Sequence, residues 1–167
     1  CYVKEGYGGR PVEEWPMHTF FKEYLLGEKD RAQQHFQDWY TIQLTAYAKV
    51  SKREGGMYKG SLYNLIENVC KTSFDDATPL CKAEAINKRV LERFQLLENI
   101  RQHGYRPEAE RIDAIKKDGY VYLRGGHHRA AILHALGKEE LPSVLVFPNQ
   151  LIYNLFNFLR ILRYGNF

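Results

Sequence analysis

Three cysteines in 167 residues are too few for a disulfide framework, and no CxxC pair or Cys/His cluster marks a zinc site. Cys70 and Cys81 are near enough in sequence to pair across a short loop. The odd count and wide spacing favour free thiols in a reducing cytoplasm instead. Charge of one sign is also scarce. With 24 basic and 20 acidic residues the net charge is +4, and the two signs are interspersed. That balance leans towards anionic partners but argues against a nucleic acid, because DNA-coating proteins carry a clustered excess. Long hydrophobic runs are absent. The most apolar stretch, Leu151–Leu162, is too short to span a bilayer and is broken by Asn154, Asn157 and Arg160. No secretory pattern is visible, so the expected setting is cytoplasmic. No internal repeat or low-complexity tract occurs.

What is present is an ordinary folded composition, 44% hydrophobic and 26% charged, in a chain long enough to bury a core. Aromatics reach 14%, with 12 Tyr and 9 Phe, and an aromatic core explains them better than a base-stacking surface. Residues 1–16 read as an irregular lead-in. From His18 the pattern is helical, with Phe20, Phe21, Tyr24 and Leu25 on one face and Gly27 as the stop. Asp30 is placed to cap a second helix through Val50. The stretch 53–61 gathers three glycines around Lys59, and Ser61 is placed to cap a helix to Val69. Lys59 and Ser61 are therefore candidate substrate contacts, although a plain glycine turn explains the same residues. Residues 70–82 form a loop and the natural boundary between a mainly helical region, 1–82, and a second unit, 83–167.

Beyond that boundary the periodicity is sharp. Ile86, Val90, Phe94, Leu97 and Ile100 form one stripe on a helix over 83–103, ended by Gly104. Strands over 111–115 and 120–123 flank a tight turn at Lys117–Asp118–Gly119. Gly125–Gly126 follows, then a helix from His127 to Leu136, a strand over 141–147 and a largely apolar helix over 150–163. That last helix reads as a contact with the rest of the chain, a partner or another copy rather than as a membrane anchor, since it carries only two arginines. The fold class is α+β, a small mixed sheet with helices, preceded by a helical region and followed by a C-terminal helix.

The residues that carry chemistry are Gly125, Gly126, His127, His128 and Arg129. Glycines let the chain turn sharply and let a ligand approach the backbone. The helix that begins there offers N–H groups and the positive end of its dipole. The histidines and Arg129 add donors suited to phosphate oxygens. Gathered without an anion, such groups are costly to bury. As metal ligands His127 and His128 are poorly placed, because adjacent helical positions point about 100° apart and no nearby Cys or carboxylate completes a site.

Residues 86–147 resemble the ParB/sulfiredoxin superfamily. The resemblance rests on Leu96–Gly104, Tyr120–Leu123, the GGHHRAAILHALG segment and Leu141–Val146, in that order. It implies a fold in which the glycine turn holds nucleotide phosphates, and it places phosphate contact on His128 and Arg129. Sulfiredoxins carry a reactive Cys where this chain has His127, so sulfinate reduction is not expected. Chromosome-partitioning members carry Gly-Glu-Arg-Arg and a helix-turn-helix that this chain lacks. The turn is nearest the branch that phosphorylates small molecules such as serine.

The expected activity is therefore a nucleotide-dependent phosphotransferase acting on a hydroxyl of a small molecule or sugar. Its cofactors would be ATP or ADP, with CTP as a further nucleotide, and Mg²⁺. The alternative is a non-catalytic nucleotide-binding switch or a nucleic-acid-binding module of the same fold. Asp113 and His127 are the catalytic candidates, Asp113 because it lies on the strand before the turn; Glu67, Asp75, Asp76 and Glu110 are further candidates for a base. Trp15, Trp39 and the tyrosines of the helical region are candidates for stacking on an acceptor, with core packing as the competing explanation.

Overall fold

In the computed structural model, residues 11–53, 61–107, 111–117, 120–140 and 144–164 are described. Their elements are a 3-10 turn, Val12–Glu14, six helices and three strands. The helices are α1 (Pro16–Leu25), α2 (Lys29–Arg53), α3 (Ser61–Cys70), α4 (Pro79–His103), α5 (His127–Ala135) and α6 (Gln150–Tyr164). The strands are β1 (Ile112–Lys117), β2 (Tyr120–Gly125) and β3 (Val144–Phe147). Helices with one small mixed sheet make this an α+β fold, as the sequence pattern predicts.

Two compact units emerge, Phe20–Glu98 and the pairing of 1–19 with Asn99–Phe167. The division differs from a boundary after residue 82, because α4 runs unbroken through that position. α4 also begins four residues earlier than the expected start at 83, at Pro79. The cause is local: Thr78 Oγ1 accepts the Cys81 N–H at 3.2 Å, and Pro79 takes the first helical position, where its missing N–H costs nothing.

The helical unit is organised around Phe36. Its ring stacks on Tyr40 at 5.1 Å and meets Phe20, Phe21 and Phe94 at 5.0, 5.7 and 5.8 Å. Tyr24 stacks on Phe94 at 4.4 Å. Offset and edge arrangements of this kind add to simple burial. The α2–α4 seam is also joined by Gln33 and Gln37, whose amide nitrogens both donate to Asn87 Oδ1. Cys70 and Cys81 are disulfide-bonded, which corrects the expectation of free thiols. The bond ties the end of α3 to the first turn of α4. Between them Ser73 donates to Asp76 at 2.6 Å, and buried Phe74 stacks on Tyr63 at 3.8 Å. Residues 71–78 are thus an ordered part of the helical unit, not a linker.

In the other unit β1 is the central strand, in the order β2-β1-β3. Ile112, Asp113, Ala114 and Ile115 are all buried, as a strand covered on both faces requires. β1 and β2 form the expected antiparallel hairpin, whose turn at 118–119 lies outside the described residues. The pairing slips after Ala114↔Leu123, so that Asp113 faces Gly125 and Arg124 is the extra residue of a bulge. α5 then carries the chain across to β3, which runs parallel to β1 with Ile112 beside Val144. α5 buries Ala130, Ala131, Ile132, Leu133 and Ala135 and ends at left-handed Gly137. None of the described helices is long and apolar enough to cross a membrane.

Candidate functional site

The turn into α5 is built by two glycines with separate tasks. Gly126 is the residue before the helix, in the left-handed region at φ 77° and ψ 20°. A Cβ there would stand 2.9 Å from Ile112 Cγ1 and 3.0 Å from Ile112 Cα, so a side chain is excluded twice over. Gly125 packs against Asp113, whose Oδ2 would lie 3.6 Å from an added Cβ. Gly126 thus serves the approach of the turn to β1, whereas a Cβ at Gly125 would make only ordinary contact with Asp113.

α5 has no side-chain cap, and its first turn holds no acidic residue. Helical bonding starts with the Ala130 N–H donating to Gly126 O at 2.9 Å. Residues 127–129 thus supply the N–H groups that a helix cannot pair with itself. They also bring His127, His128 and Arg129, all half-buried, to the positive end of the dipole. Cations at that end oppose the dipole, at a cost of a few tenths to about 1 kcal/mol each when charged. An anion reverses the sign of every one of these terms.

The bulge sets Asp113 beside this turn. Asp113 is 7% exposed, and its Oδ1 accepts the Arg111 Nε–H at 2.7 Å. The Arg111 guanidinium also lies over the Phe156 ring at 5.0 Å, so α6 helps hold the pair. Of the acidic candidates, Asp113 is the one brought to the turn. Glu67, Asp75 and Asp76 belong to the helical unit, and Glu110 lies outside the described residues. Lys59 also lies outside them, while Ser61 is the first residue of α3.

Three features of this unit escaped the sequence reading. Trp15 is fully buried, with its ring 5.8 Å from that of His127, and so is packing rather than an exposed stacking platform. Two turns along α5, His134 Nδ1 lies 3.1 Å from Nε2 of buried His18. On its other side, His134 Nε2 is 3.8 Å from Glu13 Oε2. These contacts fasten the segment from Glu13 to His18 to α5, and a separation of 116 residues between the histidines leaves no local trace. The Arg111–Asp113 pair, by contrast, is two residues apart at the start of β1 and had a readable signal.

The helical unit contributes an open cavity of about 470 Å³. Its floor includes Leu44, Phe74 and Ile86, and Thr41, Asp75 and Lys82 supply polar groups. Both faces of the Phe74 ring are occupied, by Tyr63 and by the Lys82 ammonium at 4.4 Å. Trp39 likewise sits among Phe20, Phe36 and Tyr40. The aromatic rings of this unit are chiefly core.

Among the described residues no group of three His, Cys, Asp or Glu side chains is arranged to hold a metal by itself. A nucleotide-borne Mg²⁺ asks for less, one or two carboxylates together with the phosphates, and Asp113 is a carboxylate beside the turn. Comparison with protein-family models, with curated proteins and with solved structures finds no match to this chain.

Proposed function

We propose that this chain binds the phosphates of a nucleotide at the Gly125–Arg129 turn and transfers a phosphoryl group to a hydroxyl of a small molecule or sugar. The observation that carries the reading is the start of α5: no side-chain cap, no acidic residue, and three cation-forming side chains in its first turn. His128 and Arg129 would hold phosphate oxygens, with the helix N–H groups adding donors. ATP, ADP or CTP would be the donor, with Mg²⁺ shared between the phosphates and Asp113. Oδ2 of Asp113 faces Gly125 and would orient an acceptor hydroxyl. His127, packed on Trp15, would set the position of the turn.

A second reading has its own support. Oδ1 of Asp113 is already tied to Arg111, which weakens its role as a base and favours a nucleotide-binding switch without chemistry. The nucleic-acid alternative has less, since charge is nearly balanced. The supply of nucleotide supports a cytoplasmic setting, whereas the Cys70–Cys81 bond points to an oxidising one.

Thermal unfolding with ATP, ADP, CTP and GTP, each with and without Mg²⁺, tests the binding. A nucleotide that binds raises Tm by mass action, and Arg129→Ala abolishes the rise. If no nucleotide raises Tm, the phosphate site is wrong. Mass spectrometry of candidate acceptors incubated with the protein and the bound nucleotide then separates kinase from switch: a phosphorylated product marks the kinase.

A further inference from the structure

α6 has two faces of opposite fate. Tyr153 and Phe156 pack their rings on Phe147 of β3 at 5.3 and 5.1 Å, which anchors the helix to the sheet. The other face carries Leu151, Ile152, Leu155, Phe158 and Leu159, which are 75, 41, 53, 58 and 54% exposed. Together they leave roughly 500 Å² of contiguous apolar surface, near the upper end of what a monomer's largest patch shows. Water has access to an entire helical stripe, not to scattered side chains.

We propose that this stripe is a homodimer interface, in which α6 packs antiparallel on α6 of a second copy about a two-fold axis at Leu155. Relative to Leu155 the exposed residues stand at −4, −3, 0, +3 and +4. An antiparallel pair therefore sets Leu155 on its own counterpart, Leu151 against Leu159 and Ile152 against Phe158. Every apolar residue meets an apolar residue, as a self-complementary interface demands. The area agrees: two such faces bury on the order of 1,000 Å², the lower bound for a specific protein interface. Charge agrees as well. No acidic residue occurs in 150–164, so a basic partner finds nothing to pair with, and the only cations, Arg160 and Arg163, fall at one end. Antiparallel packing places those ends far apart, and two cations are too few to hold the helix on a lipid surface.

The test is sedimentation of the full chain over a dilution series. The expected result is a dimer that dissociates on dilution, and Leu155→Glu, a change at an exposed position, weakens association by at least about tenfold with the circular dichroism spectrum unchanged. Cysteine placement reads the axis independently. In a Cys1→Ser background, Leu155→Cys crosslinks to itself under mild oxidation, whereas Leu151→Cys crosslinks efficiently only when mixed with Leu159→Cys. A wild-type chain that stays monomeric at every concentration overturns the proposal. So does a dimer that Leu155→Glu leaves intact and Leu155→Cys does not lock. A monomer that sediments with phosphatidylglycerol vesicles overturns it in favour of a membrane surface.

Discussion

The two units place their side chains for different purposes. In Phe20–Glu98 the aromatic rings close on one another around Phe36, and the amides of Gln33 and Gln37 converge on Asn87. Even its charged residues are used in packing, with Lys82 over Phe74 and Glu23 bonded to His35. In the sheet unit, α5 starts with three cation-forming side chains at the wrong end of its dipole. Helix stability alone does not favour that arrangement; an anion, as proposed, would. The contrast teaches where to look: the helical unit gathers its aromatic side chains into packing, and the sheet unit sets cation-forming side chains where the helix dipole disfavours them.

The contrast breaks most directly at Phe36. Phe36→Ala should destabilise the helical unit by about 3–5 kcal/mol, measured by denaturant unfolding, because five neighbouring rings lose their common contact. Nucleotide binding at the α5 turn should survive wherever the sheet unit stays folded; a complete loss there would end the distinction between the units. Gly126→Ala is the matching change in the sheet unit. It combines left-handed strain with an overlap on Ile112 and should cost about 2–4 kcal/mol. If the variant melts like the wild type, the turn is not seated on β1 as described.

Replacing both Cys70 and Cys81 by Ser should lower the stability of the helical unit by about 2–3 kcal/mol, as expected for a short closed loop. Titration of thiols in protein isolated from its native compartment then decides between an oxidising setting and the cytoplasm. The smallest expected effect concerns Tyr40. Burial pushes its hydroxyl above the ordinary value of 10.0, and Arg93 opposes that shift only in part. The folded state therefore holds this proton more tightly than the unfolded state. The resulting stability is complete below pH 10 and is lost as pH rises through the folded value. Tyr40→Phe should flatten that alkaline decline in unfolding free energy, and an unchanged profile would remove Tyr40 as its source.

Legibility followed the range of the interactions. The stripe from Ile86 to Ile100, the hairpin and the glycine-led start of α5 were readable, because side-chain period and turn chemistry act over a few residues. Local chemistry also explains the early start of α4, since Thr78–Pro79 was there to be read as a cap. The same holds for the chemical character of the Gly125–Arg129 turn. The rest depends on segments far apart in the chain. Only packing decided that Trp15 lies against His127, that His18 reaches His134, and that a bulge at Arg124 brings Asp113 beside Gly125. Packing also made a bonded pair of Cys70 and Cys81, and it left one face of α6 covered and the other bare. A helix's pattern states that it has an apolar face; which surface covers that face is settled by tertiary contacts that no local pattern contains.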